Sequence, residues 1–199
     1  MELLIATQNQ GKIAELEELL SGLPLSLRSL KDFPDVGDVE ETGTTFAENA
    51  TLKAKAYAIR TGLLALADDS GLEVEALGGA PGIFSARYAG ANSGYPEKIA
   101  ALLAEIESKK DDRRAARFVC SMTISDEKGR IIHQTDGICP GRIAPAPLGN
   151  NGFGYDPVFI PAGFEETFGQ LSGEIKRNIS HRARATKKII RFLRDFTAT

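Results

Sequence analysis

The segment Leu63–Ala67, read LLALA, is apolar at every position and stops abruptly against Asp68, Asp69, Ser70 and Gly71. A short unbroken apolar run reads as a strand covered on both faces, the inner strand of a sheet with helices packed on each side. No other stretch constrains the fold as tightly. Its end also poses a chemical question. Two adjacent carboxylates repel, and burial raises the cost of ionising either one. A site that gathers them has a cation to hold or a proton to move.

The flanking sequence supplies the layers such a strand needs. Leu3–Ala6 is a second short apolar strand, and Ile13, Leu16, Leu19 and Leu20 follow at helical spacing. Thr45 and Glu48 fit a capping box for a helix whose face is Phe46, Ala50, Ala54 and Tyr57, with Gly62 as its stop. Leu72–Ala76 alternates as a half-exposed strand, Gly78–Gly82 is a turn cluster, and Glu97–Ile106 is a further helix. Arg117–Ile124 alternates strictly, and Arg130–Ile138 returns as its hairpin partner. Ser180 is placed to cap a last helix with Ile189, Phe192, Leu193 and Phe196 on its inner face. Early alternation of strands and helices, then a hairpin, predicts an α/β fold with a mixed sheet.

With 199 residues, one domain spanning 1–199 or two intimately packed lobes is expected. A net charge of −3 argues against a general nucleic-acid binder. The charge is uneven. Asp35–Glu48 holds five acids and no base, whereas between Glu174 and Asp195 there are eight Lys/Arg and no acid. These are either two solvated faces or a metal-binding and an anion-binding patch. Cys120 and Cys139 lack metal-ligand spacing and read as reduced thiols. The first residues do not form a signal peptide, and no apolar run nears the ~20 residues of a membrane helix. A cytoplasmic protein without membrane contact is expected.

Four polar motifs carry the chemistry. TQNQGK, Thr7–Lys12, lies between a strand and a helix but is not a P-loop: Ala6 stands where the first glycine belongs, and Ile13 follows the lysine. It is either an ordinary turn or a phosphate site using helix N–H groups, Gly11 and the Lys12 charge. EETG, Glu40–Gly43, is either favourable charge before a helix or, with Asp68 and Asp69, an oxygen set for Mg²⁺. If the strand persists, the two aspartates face opposite ways, so one serves the metal and the other accepts from backbone or a lysine. NNGFGYDP is either a structural loop or a pocket in which Phe153 and Tyr155 flank a ring and Asp156 accepts from its N–H groups. Lys176, His181 and Arg182 stand near the start of the last helix, where cations oppose the dipole and suit a polar or anionic ligand.

ATQNQGK, EETGTTFAENA, LADDSGLEVEALGGAPGIFSARYAG, GNNGFGYDPVFIP and ISHRARA stand in the order and spacing of the inosine triphosphate pyrophosphatase family. This is also called the HAM1 or non-canonical purine NTP pyrophosphatase family. The chain resembles its bacterial dITP/XTP pyrophosphatase type over nearly its whole length. The resemblance implies an elongated α/β fold with helices flanking the sheet and a nucleotide cleft between two lobes. It implies a homodimer that hydrolyses ITP, dITP or XTP to the monophosphate and pyrophosphate with Mg²⁺. By position, Thr7, Gln8, Asn9, Gln10, Gly11, Lys12 and Lys53 would bind the triphosphate. Glu40 and Asp69 would hold Mg²⁺, with Asp69 as proton acceptor. Ser70, Phe153, Gly154, Tyr155, Asp156, Lys176, His181 and Arg182 would contact the nucleotide. Arg182, a fixed donor, suits a purine 6-oxo group. Asn150-Asn151 departs from the Thr-Gly common at this point of the family. The residues alone leave open a sugar-phosphate phosphatase, a nucleotide sensor without turnover, and a hydrolase with another purine preference.

Overall fold

The computed structural model describes residues 1–90, 92–109 and 113–197. Six strands form one sheet in the order β2-β1-β3-β4-β5-β6. They are β1 (Glu2–Ile5), β2 (Ser26–Ser29), β3 (Leu64–Val74), β4 (Ala115–Ser125), β5 (Ile131–Ile143) and β6 (Phe159–Pro161). The helices are α1 (Gln10–Leu20), α2 (Phe46–Thr61), α3 (Tyr95–Ser108), α4 (Gly173–Ile179) and α5 (His181–Thr197). β1 pairs parallel with both β2 and β3, and β5 pairs antiparallel with β6, so the sheet is mixed.

The chain divides into two compact units. The first comprises Met1–Asp69, Cys120–Gly137 and Arg182–Thr199; the second comprises Ser70–Val119 and Ile138–His181. In the first unit the period of two along β1 and β3 sorts the core into two layers. Leu3, Ile5, Leu64 and Leu66 pack with Ile13, Leu16 and Leu20 of α1 and Ala185, Ile189 and Leu193 of α5. Leu4, Ala6, Ala65 and Ala67 pack on the other face with Ala54, Tyr57 and Ala58 of α2. Alanines on both sides of that second layer let the helix axis approach the sheet closely. The second unit has its own core, which includes Leu72, Val74, Leu102, Ile106, Phe118, Phe159 and Phe168.

α2 begins and ends as its sequence predicts. Thr45 and Glu48 form the capping box, and Gly62 closes the helix in the left-handed conformation at φ 67°. Two expectations change. The strand does not break at Asp68-Asp69, because β3 runs unbroken to Val74. Ser180 ends α4, its N–H bonded to Lys176 O, and stands in extended conformation directly before α5, which starts at His181. Phe196 is exposed, and the buried stripe of α5 is Ala185, Ile189 and Leu193. β2, β6 and α4 are elements the sequence pattern does not announce.

Candidate active site

The alternation that sorts the core also separates the two aspartates. Asp68 continues the Leu64–Leu66 face and is fully buried beside α1 and α5. Its Oδ2 lies 3.3 Å from Lys12 Nζ and accepts from Arg182 Nη2 at 3.0 Å and Nε at 3.3 Å. Arg182 in turn reaches Glu15 Oε2 at 2.5 Å through Nη1. Burial alone would raise the Asp68 pKa, but the charges of Lys12, Arg182 and Lys53 outweigh it and hold the carboxyl below the usual range. Burial likewise opposes the Arg182 charge, and Asp68 and Glu15 reverse that, so its pKa is raised. Asp68 is therefore a permanent anion inside an ion-pair network.

Asp69 continues the alanine face and meets α2. Lys53 Nζ donates to Asp69 Oδ1 at 3.1 Å and to Glu41 Oε1 at 2.6 Å. Asn49, one turn earlier on the same helix face, donates through Nδ2 to Asp69 Oδ2 at 3.3 Å. Its Oδ1 accepts the Gly43 N–H at 2.8 Å. Burial pushes the Asp69 pKa up; Lys53 and Lys12 pull against it without cancelling it, and Glu41 adds to the rise. Lys53 feels burial as a lowering, which Asp69, Asp68 and Glu41 overcome, so it stays protonated. Neighbouring aspartates thus shift in opposite directions: surrounding cations hold the Asp68 carboxyl below the usual range, and burial raises that of Asp69.

No group of three or more His, Cys, Asp or Glu forms a metal cage among the described residues. Mg²⁺ does not require one, because it takes one or two carboxylates and completes its shell with water and substrate phosphate. Asp69 and Glu41 both bond the Lys53 ammonium and are two carboxylates that could hold such an ion. Glu40 is exposed, and the ion pair from the acidic loop runs through its neighbour Glu41.

Thr7–Lys12 forms the turn into α1. Asn9 caps the helix, its Oδ1 accepting the Lys12 N–H at 3.1 Å, and Thr7 Oγ1 accepts the Asn9 N–H at 3.3 Å. No acid occupies the first turn, so the positive end of the helix is not offset there. Gln8 is bonded to Asp38, and Gln10 Oε1 accepts from Lys31 at 2.7 Å.

In the second unit, Asp156 is buried and its Oδ2 joins the Lys176 ammonium and the Phe153 N–H, the latter at 2.8 Å. Gly152 makes this possible. Its φ is 70°, and a Cβ there would lie 2.0 Å from Asp156 Oδ2. Lys176 sits 4.7 Å above the Phe153 ring. Phe153 is half-buried, whereas Tyr155 is 2% exposed, donates to Ser85 O at 3.0 Å and meets the Tyr95 ring edge-on. His181 stacks on Phe118 at 4.6 Å. Asn151 secures the loop: its N–H bonds Gly169 O at 2.9 Å and its side chain donates to Leu171 O at 3.0 Å. Ser70 is the half-buried residue of β3 with which the second unit begins.

The Ham1 family model matches residues 3–192, which takes in every one of these residues. The chain belongs to the Ham1 family. A relative from Desulforamulus reducens named dITP/XTP pyrophosphatase is 48% identical over 193 residues, covering 97% of this chain and 96% of its own. One of the same name from Gloeobacter violaceus is 49% identical over 188 residues, covering 94% and 92%. The solved structure of a HAM1 protein from Coxiella burnetii matches with a TM-score of 0.90 at 41% identity, covering 98% of this chain and 99% of that one.

Within this Ham1 chain the structure groups Thr7, Lys12, Lys53, Asp69 and Arg182 in the first unit. Ser70, Phe153–Asp156, Lys176 and His181 belong to the second. Sequence reasoning missed Asn49 and Glu15. For Asn49 the signal was present: a fully buried amide in the otherwise apolar stripe Phe46, Ala50, Ala54, Tyr57. A polar residue in such a place needs partners.

Proposed function

We propose that the chain hydrolyses deaminated purine nucleoside triphosphates, dITP, ITP and XTP, to the nucleoside monophosphate and pyrophosphate, keeping these bases out of DNA and RNA. The observation that carries the reading is the divided aspartate pair, Asp68 ionised against Lys12 and Arg182 and Asp69 raised by burial beside Lys53. The names of the two relatives support the substrate class.

The N-terminal end of α1 and the Lys12 and Lys53 ammoniums meet the triphosphate charge. Asp69 accepts the proton of the water that attacks the α-phosphorus, a task suited to a carboxylate whose basicity burial has increased. Asp68 transfers no proton; it anchors Lys12 and Arg182. Asp69 and the acidic-loop carboxylates, Glu41 with Glu40 beside it, would hold Mg²⁺, which supplies charge neutralisation and Lewis acidity at the phosphates. Ser70, Phe153, Gly154, Tyr155, Asp156, Lys176 and His181 serve the nucleoside. Lys176 is a donor and Asp156 an acceptor, the pair of types that suits a 6-oxo group beside an N1–H, which hypoxanthine and xanthine carry and adenine lacks. The family resemblance supports a homodimer, which light scattering on the purified protein tests.

A panel of dITP, ITP, XTP, GTP and ATP with Mg²⁺, reading pyrophosphate and orthophosphate separately, tests the proposal. Pyrophosphate from dITP, ITP and XTP well above GTP and ATP is expected. Orthophosphate as first product, or tight binding without turnover, overturns it.

A further inference from the structure

We infer that Asn49 is a positioning residue that clamps the acidic loop to Asp69. The inference rests on the hydrolytic reading above, which gives Asp69 its role. Asn49 is fully buried and has one partner on each side of its amide. Gly43 N–H donates to Oδ1 at 2.8 Å, and Nδ2 faces Asp69 Oδ2 at 3.3 Å. A backbone N–H can only donate, so it fixes which end of the amide is oxygen; the NH₂ then has to face the carboxylate. Aspartate at this position lacks the donor, and leucine lacks both groups.

Gly43 is matched to this contact. A Cβ there would stand 2.7 Å from Asn49 Oδ1 and 2.7 Å from Glu48 Cβ, so only glycine lets the loop backbone come this close. Lys53, four residues after Asn49, makes the parallel bridge from Glu41 to Asp69. Asp69 therefore has one oxygen on an ammonium and the other on an amide. The ammonium supplies charge; the amide supplies direction, holding the plane of the carboxylate and fixing the loop at a second point. Loss of Asn49 frees both without removing any charge from the site.

The test uses the full chain with dITP and Mg²⁺, comparing Asn49→Ala, Gly43→Ala and the double variant. Each single change is expected to lower kcat by about 10- to 100-fold, the scale of a misplaced reacting group, with KM little changed. The double variant should be no slower than the slower single, because both act through one clamp. Asn49→Asp keeps the acceptor for Gly43 and loses the donor to Asp69. The Gly43 amide should then still exchange slowly by NMR while kcat stays low. Mn²⁺ affinity without nucleotide, read by electron paramagnetic resonance, should fall in Asn49→Ala. A rise in KM with kcat intact, effects that multiply in the double variant, or a lower melting temperature with normal kcat per folded molecule overturns the inference. So does fast exchange of the Gly43 amide in the unaltered protein, a readout that survives if a variant fails to fold. Absence of pyrophosphate release from the unaltered protein strikes the hydrolytic reading alone, since Gly43 exchange and Mn²⁺ affinity still report the clamp.

Discussion

Asparagine at position 69 keeps the size of the side chain and removes its basicity. Asp69→Asn is expected to lower dITP turnover by at least ~10²-fold, the usual cost of a lost general base, and to leave the urea midpoint nearly unchanged. Asp68→Asn should behave in the reverse sense. It removes a buried anion from Lys12 and Arg182, and breaking such a network costs about 3–5 kcal/mol, measured by urea denaturation at neutral pH. The pH dependence follows from the lowered pKa. Folded Asp68 stays ionised where an unfolded aspartate, near pKa ~3.9, takes up a proton. Its stabilisation is full above about pH 4 and is lost as pH falls further, so the gap between the two proteins should narrow there. Arg182 is 2% exposed and bound to both Asp68 and Glu15, so its removal is expected to act on the whole site. Arg182→Ala should reduce kcat/KM for ITP, XTP, GTP and ATP by similar factors and lower stability. A loss confined to ITP and XTP would make it a base-reading residue. The opposite facing of the aspartates was legible, because strand alternation alone demands it. The Lys53–Glu41 ion pair was not, because an irregular loop has no period from which to read direction.

At the level of elements, α2 is the part whose sequence and structure agree most closely, and its end gives a clean measurement. Gly62 has φ 67° and no atom within 4 Å of where a Cβ would stand. Gly62→Ala therefore isolates the backbone cost of the left-handed conformation, about 1 kcal/mol in urea denaturation, with kcat/KM unchanged. β3 was legible as a buried strand, but its length was not. Two carboxylates, a serine and a glycine look like a stop until Lys12, Arg182, Lys53 and Asn49 are present to receive the aspartates and let the backbone pairing continue. β2, β6 and α4 span four, three and seven residues, too short for a hydrophobic period. They exist through what they join: β2 through β1, β6 through the end of β5, and α4 through the Ser172 cap, which accepts the Ile175 N–H at 3.3 Å.

For the whole molecule, the mixed α/β architecture was legible because helical and strand periods alternate along the first hundred residues. Two lobes were among the expectations, but the positions at which they divide were not legible, since no change of composition or linker marks the boundaries. EDTA is expected to abolish dITP hydrolysis by the purified protein, and added Mg²⁺ to restore it, while the circular dichroism spectrum stays the same. Full activity in EDTA would remove the cation from the mechanism. The boundaries themselves fall at Asp69–Ser70, Val119–Cys120, Gly137–Ile138 and His181–Arg182, so the chain passes from unit to unit four times. Neither unit is encoded by one continuous stretch of gene. A single recombination event between two relatives therefore cannot exchange one unit whole, and no terminal deletion yields either by itself. Substrate preference in such a lineage has to drift by point substitution, with both halves inherited together and neither available as a module for transplantation into another protein.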